Sequence, residues 1–156
     1  MFNFKIPATN ILLYQIAQNV LGIPILILMK DELTPENFRT QNNFILNLEN
    51  SNEDGSHWVG VYRNQKQVFY YDPFGFPPSK QHYDVFKTYG AFFYSIRETQ
   101  HPNSILCGYY VLYFLFYMYK SKIKNQKERF NNFLNSFYLN LRRNDKIVRD
   151  FFKSFL

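Results

Sequence analysis

The chain of 156 residues contains one cysteine, Cys107, and three histidines. A single cysteine excludes an intrachain disulfide and a thiolate-rich zinc site, and none of the histidines has the spacing of metal ligands. We therefore expect no metal and no bound cofactor. A lone cysteine is typical of a reducing compartment, and it is also free to act as a nucleophile.

The sequence also lacks long apolar runs. Residues 11–29 contain polar and helix-breaking positions, and the apolar run over residues 105–119 has 15 residues, fewer than the roughly 20 that cross a bilayer. Near the N-terminus, Lys5 and Pro7 do not fit a secretory signal peptide, and no small-residue cleavage site follows them. The sequence therefore predicts a protein that is not secreted and has no membrane partner.

Aromatic side chains are abundant instead. They make up 21% of the residues, with 18 Phe and 13 Tyr, and hydrophobic residues together make up 46%. This composition excludes a disordered chain, which has too little apolar surface to offset the entropy of ordering. Neither a repeat nor a Gly/Ser linker divides the sequence. We expect one domain over residues 1–156.

The positive charge is concentrated near the C-terminus. Residues 119–156 hold 10 basic and 3 acidic side chains, whereas residues 1–118 hold 8 basic and 9 acidic ones. The excess is consistent with a solvated helix face or with a surface that binds a polyanion such as DNA. Both interpretations stay open at this point.

Hydrophobic periodicity and turn residues predict an α+β fold, a small mixed or antiparallel sheet flanked by helices. A helix capped by Thr9 or Asn10 is predicted over 9–21. A buried run, strand or extended, is predicted over 25–29, and a loop or short helical turn over 31–42. Strands are predicted over 43–48, 57–63, 67–72 and 91–96, a polar connection over 49–56, and helices over 80–88, 105–120, 124–141 and 144–155. The helix over 105–120 is nearly all apolar and should be central and buried.

The predicted hairpin brings two polar residues together. His57 begins the first of its strands and Asp72 ends the second, so antiparallel pairing places both at one edge of the sheet, within reach of a hydrogen bond. Cys107 lies at the start of the central helix. A thiolate attacks carbonyl carbons, and a helix N-terminus or a neighbouring imidazolium favours the thiolate.

These residue types suit nucleophilic catalysis. His57 would act as base to the thiol and acid to the leaving amine, and Asp72 would orient the imidazole. Gly108 would let the backbone approach a substrate closely, and the Cys107 N–H would donate to an oxyanion together with the amide of Gln100. Each residue also has a structural interpretation: a buried Cys, an exposed His or an Asp that caps a turn.

Three motifs carry a resemblance to a known family. GSHWVGVY at 55–62, YYDPFGFPP at 70–78 and QHPNSILCGYY at 100–110 resemble the adenovirus maturation protease (adenain) family. The wider group includes proteases of virophages and Polinton-like elements and, more distantly, Ulp-type proteases. The family order of His, acid, Gln and Cys-Gly is met here, whereas the Cys, His, Asn order of papain-like enzymes is not. The resemblance spans residues 25–118.

The resemblance implies a fold and a reaction. The fold would place the catalytic Cys at the N-terminus of a buried central helix. His57, Asp72 and Cys107 would form the triad, Gln100 and the Cys107 N–H the oxyanion hole, and Trp58 would shape the site beside His57. The implied enzyme is a monomeric cysteine endopeptidase that processes viral capsid precursors at Gly-Gly or Gly-x sites. It would work in the virion and infected cell, in the nucleus or a cytoplasmic virus factory.

Departures from the family bear on activation. Asp72 stands where the adenovirus enzymes carry Glu, and a second cysteine for a disulfide-linked activating peptide is lacking. Stimulation by a non-covalent peptide, or by DNA bound to the basic C-terminal third, stays open. Two alternatives also stay open: a Ulp-like deubiquitinase or deSUMOylase, and a catalytically silent nucleic-acid-binding protein.

Overall fold

A computed structural model describes residues 2–52 and 57–156 of the chain. The predicted polar connection over 49–56 therefore lies partly outside the described residues, as do the first two residues of the GSHWVGVY motif. Within the described ranges, no helix is long and apolar enough to cross a membrane.

The sheet has five strands in the spatial order β1-β2-β3-β4-β5. The three central strands pair antiparallel, whereas β1 pairs with β2 and β5 with β4 in parallel. The predicted α+β fold with a small mixed sheet flanked by helices is thus confirmed. The strands are β1 (Leu26–Leu28), β2 (Asn43–Asn47), β3 (Trp58–Asn64), β4 (Gln67–Tyr71) and β5 (Ala91–Tyr94).

Within residues 2–52 and 57–156, five α-helices surround the sheet: α1 (Asn10–Ile16), α2 (Lys80–Lys87), α3 (Cys107–Lys120), α4 (Gln126–Asn135) and α5 (Asn144–Lys153). As predicted, Thr9 caps α1, because its hydroxyl accepts the Leu12 N–H at 3.2 Å. α1 continues through a π-helical turn at Ala17–Leu21 and stops at Gly22, where φ is +64°. Only glycine adopts this left-handed conformation without strain, so the helix ends there.

Both faces of the sheet are covered, because successive strand residues point to opposite sides. On one face, Ile45, Tyr62 and Phe69 belong to the core that contains α3. On the other, Phe44, Val61 and Tyr70 form a second core with α2. α3 has nine buried residues, as its nearly all-apolar sequence predicts.

Two predicted elements differ from the structure. The helix predicted over 124–141 ends at Asn135, since Ser136 donates its hydroxyl to the Phe133 carbonyl and the Asn144 side chain bonds both the N–H and the carbonyl of Tyr138. These contacts replace the helical hydrogen bonds of the chain beyond Asn135. The run predicted to be buried at 25–29 contains β1, whose three residues are only half-buried because β1 lies at the sheet edge.

The β3–β4 hairpin closes through a tight two-residue turn. Gln65 and Lys66 have φ values of 50° and 60°, the backbone twist that suits a two-residue connection between antiparallel strands. Gly60 pairs with Tyr71 at the opposite end of the hairpin. His57 precedes β3 and Asp72 follows β4, so the register brings both residues to that end.

Candidate active site

The candidate site lies where the open end of the hairpin meets the start of α3. Cys107 is the first residue of that helix. α3 packs across β3 so closely that a Cβ on Gly60 would lie 2.9 Å from Cδ2 of Phe114. The sheet therefore supplies His57 and Asp72, and the central helix supplies Cys107, from opposite sides of one packed interface.

His57 and Asp72 form a direct hydrogen bond. Nε2 of His57 lies 2.8 Å from Oδ1 of Asp72, and Asp72 is 1% exposed. The same carboxylate oxygen accepts the backbone N–H of Phe74 at 2.8 Å, which fixes the rotamer of Asp72 from its own loop. The predicted proximity of the two residues is thus confirmed by the geometry.

The charge state of His57 follows from its surroundings. Burial lowers the pKa of His57, but the hydrogen bond to Asp72, the negative charge of Asp72 and the nearby Cys107 together outweigh burial and raise that pKa to about 9. Because this value lies above neutral pH, the imidazole carries a proton there. A cation at His57 favours a thiolate at Cys107.

One imidazole nitrogen is left for the thiol. Nε2 is occupied by Asp72, and Nδ1 is buried without a hydrogen-bond partner in the described part of the chain. Cys107 is 7% exposed. It influences His57 electrostatically although no close Nδ1–sulfur hydrogen bond is formed, and such loose pairing is common in cysteine and serine sites before substrate binds.

The aromatic ring of Phe74 covers the imidazole. The two ring centroids lie 4.8 Å apart, and the planes are inclined by 29°. Phe74 thus contacts both members of the pair, Asp72 through its backbone and His57 through its ring. The sequence motif includes the loop after Asp72 but assigns no role to Phe74. The only sign of its contact with His57 in the sequence is an aromatic residue two positions after Asp72.

Gln100 is buried in the segment that leads to Cys107, and its side-chain amide already makes hydrogen bonds. Nε2 donates to the carbonyl of Ser104 at 3.0 Å and to its hydroxyl at 3.1 Å. The backbone N–H of Gln100 donates to the carbonyl of Pro73 at 3.0 Å, which ties this segment to the Asp72 loop. The structure therefore brings Gln100 into the site region, and its role as an oxyanion donor stays a prediction.

Trp58 and Gly108 have clear packing roles. The indole N–H of Trp58 donates to the carbonyl of Ala8 at 3.1 Å, and Trp58 lines a surface cavity of about 440 Å³ with Thr9 and Ser51. A Cβ on Gly108 would lie 2.9 Å from Cδ2 of Leu13 and 3.2 Å from Cβ of Ala8. Gly108 is thus required by the contact between α3 and α1, and its predicted role in substrate approach stays a prediction.

Across residues 2–52 and 57–156, no group of three or more His, Cys, Asp and Glu side chains could hold a metal ion. The arrangement of His57, Asp72 and Cys107 instead has the elements of acyl transfer: a nucleophile, an acid–base group and a residue that orients it.

Comparisons with known proteins give matches among solved structures and none among sequences. No protein-family model matches the sequence, and no curated protein sequence matches it. The crystal structure of the selenomethionine ASFV pS273R protease aligns with 65% of this chain at 17% identity and a TM-score of 0.36. The aligned part spans 46% of that protein, less than half of its length. Similarity of this size does not assign an activity, so the chemistry rests on the geometry of the site.

Proposed function

We propose that this chain is a cysteine endopeptidase in which Cys107 is the nucleophile. The observation that carries the proposal is the 2.8 Å hydrogen bond between His57 and a buried Asp72, beside a helix that begins with the only cysteine of the chain. A pKa of about 9 for His57 supports a thiolate–imidazolium pair at neutral pH.

The proposed reaction has two steps. The Cys107 thiolate attacks the scissile carbonyl carbon, and the Nδ1 proton of His57 passes to the leaving amine, which gives a thioester. Water then attacks the thioester while His57 takes one of its protons, the C–S bond breaks, and the Cys107 thiolate leaves, with the free carboxylic acid as product. Asp72 holds the ring by its Nε2–H throughout both steps. The Cys107 N–H and, after release from Ser104, the Gln100 amide would donate to the oxyanion.

The proposed substrates are viral capsid precursors, cleaved at Gly-Gly or Gly-x sites in the virion or infected cell. This extension is supported by the three sequence motifs. Cleavage after small residues also suits a nucleophile that is 7% exposed, because a bulky residue next to the scissile bond would be hard to bring to a recessed sulfur. We propose a monomer as the active form.

DNA binding is proposed for the basic side chains near the start of α5. Arg142, Arg143 and Lys146 are exposed around a surface cleft of about 450 Å³, and the Arg143 guanidinium lies 3.8 Å from the centre of the Tyr138 ring. Arg129, by contrast, is engaged internally, because it donates to the carbonyl of Met118 at 3.0 Å. Within the cluster, Lys146 also pairs with Asp150 at 2.6 Å. Phosphates would therefore bind this cluster in a salt-dependent way.

Turnover of a fluorogenic peptide ending in Gly-Gly tests the function. We expect wild-type protein to release the fluorophore and Cys107→Ala to release none. Peptide libraries cover other small residues if the first sequence is not cut. Loss of turnover in Cys107→Ala supports the proposal, and equal turnover in both proteins contradicts it.

The same assay separates the alternatives. Cleavage of ubiquitin-like conjugates in preference to virion precursors would favour the Ulp-like enzyme. Salt-sensitive DNA binding without turnover of any library member would favour the silent nucleic-acid-binding protein. If DNA raises turnover, Arg142→Glu/Arg143→Glu should abolish that effect, and Lys66→Glu/Lys80→Glu, with the same change of charge elsewhere, should preserve it.

A further inference from the structure

A carboxylate from α5 holds the chain on both sides of Cys107. Asp145 is the second residue of α5, and its Oδ1 accepts two hydrogen bonds of 2.8 Å, one from the hydroxyl of Ser104 and one from that of Tyr110. Ser104 precedes Cys107 by three positions, and Tyr110 follows it by three. Cys107 therefore lies between two residues whose hydroxyl groups donate hydrogen bonds to the same carboxylate oxygen of α5.

The carboxylate also sets the direction of the Ser104 hydroxyl. A carboxylate can only accept, so the single proton of Ser104 points to Asp145. The lone pairs of that hydroxyl are then free for Gln100, whose Nε2 donates at 3.1 Å, and for the backbone N–H of Leu106 at 3.3 Å. Asp145 thus fixes, through Ser104, the orientation of the Gln100 amide and the backbone that enters Cys107.

Tyr110 is a permanent donor in this arrangement. It is fully buried, and burial together with the neighbouring Asp145 raises the pKa of Tyr110 far above its usual range. The phenol therefore keeps its proton at neutral pH. Its bond to Asp145 anchors the first turn of α3, which begins with Cys107.

The residue before Asp145 makes a second connection to the same segment. Asn144 is fully buried, and its Nδ2 donates to the carbonyl of Thr99 at 2.8 Å. The backbone N–H groups of Thr99 and Gln100 in turn donate to the carbonyl of Pro73, at 2.9 and 3.0 Å. The first turn of α5 therefore reaches the loop of Asp72 as well as the segment that leads to Cys107.

We infer that Asp145 is a positioning residue for the Cys107 site, which holds the backbone on both sides of Cys107, and with it the Cys107 N–H, in the geometry that stabilises the oxyanion. This inference rests on the proposed peptidase function. Asp145 would not touch the substrate; it would act through Ser104 and Tyr110. Part of the strongly basic C-terminal segment, which lies outside the family resemblance, would then belong to the catalytic machinery.

The test compares Asp145→Ala with Asp145→Asn, which keeps one acceptor oxygen. We expect Asp145→Ala to lower kcat for peptide cleavage about 10-fold with KM changed less than twofold, and Asp145→Asn to recover most of the loss. Alkylation of Cys107 by iodoacetamide, which needs no oxyanion hole, should stay within twofold in both. Two control variants should leave kcat unchanged. Arg149→Ala removes the 4.0 Å ion pair between Arg149 and Asp145, and Asp150→Ala removes the exposed ion pair between Asp150 and Lys146.

Equal kcat in wild type and Asp145→Ala would overturn the inference, and so would parallel losses of kcat and alkylation rate, which would place the effect on the Cys107 thiolate and not on the oxyanion hole. Hydrogen exchange of the Leu106 amide gives a readout without turnover. We expect exchange there to accelerate in Asp145→Ala and not in Asp150→Ala. If wild type cleaves no peptide, the proposed function fails. Independently of that result, an unchanged exchange rate of the Leu106 amide in Asp145→Ala would overturn the positioning role of Asp145.

Discussion

His57 Nε2 and Asp72 Oδ1 lie 2.8 Å apart although the two residues are separated by 15 positions in the sequence. The contact forms because one residue precedes β3 and the other follows β4 in a hairpin with a two-residue turn. It leaves Nδ1 of His57 as the only ring nitrogen that can serve Cys107. The charge state of His57 is therefore the property on which the proposed chemistry depends.

Asp72→Asn should lower the pKa of His57 well below its value of about 9, because burial persists while the hydrogen bond and charge of Asp72 are lost. NMR titration of the imidazole measures this directly. Since the folded pKa lies above the unfolded value of about 6.5, the contribution to stability is complete below that pH and is lost as pH rises through 9. Wild-type stability should therefore decline between pH 7 and 9, and Asp72→Asn should lack that decline. A His57 pKa unchanged in the variant would contradict the assigned role of Asp72.

Phe74→Ala should lower kcat about 10-fold, because the imidazole loses the ring stacked on it and can leave its productive orientation. The pKa of His57 should rise further, since burial, which lowers it, is reduced. Phe76→Ala is the matched control: Phe76 lies in the same loop and is 65% exposed. Equal effects of the two substitutions on kcat would show that stacking on His57 is not what matters.

Gly108→Ala should destabilise the fold by about 1–3 kcal/mol, because the new methyl group would lie 2.9 Å from Cδ2 of the fully buried Leu13. Denaturant unfolding measures the loss. Combining the substitution with Leu13→Val should cost less than the sum of the two single changes, since the shorter side chain makes room. Strict additivity would argue against this contact as the reason for the glycine.

His82→Gln should flatten the acid side of the stability profile. His82 is 1% exposed, and its Nε2 lies 2.9 Å from the carbonyl of Lys30. Burial lowers the pKa of His82 below 6.5, so the unfolded chain takes up the proton first and wild-type stability falls as pH drops below about 6.5. We expect a smaller loss between pH 7 and 5 in the variant. An identical slope in both proteins would contradict the buried, neutral His82.

The local part of the site could be predicted from the sequence. The hairpin follows from two alternating runs and a short connection, and it brings His57 to Asp72 without long-range information. An apolar run that begins near Cys107 likewise predicts the start of a buried helix. In each case the pattern lies within about 15 residues of chain.

The long-range part could not be predicted in this way. Ser104 and Asp145 are 41 positions apart, and no periodicity signals their contact. The end of α4 at Asn135 depends on the Asn144 side chain, which bonds the backbone of Tyr138. Gly108 carries no sign in the sequence that Leu13 will pack against it. Such pairings are set by how the helices dock on the sheet.

The rate of Cys107 alkylation by iodoacetamide at pH 7 tests the central claim most directly. It requires no knowledge of the substrate, and every adduct is located because the chain has one cysteine. If His57 holds Cys107 as a thiolate, wild type should react at least about 10-fold faster than His57→Ala, with both proteins folded by circular dichroism. Equal rates in the two folded proteins would show that Cys107 is an ordinary buried thiol and would contradict the account.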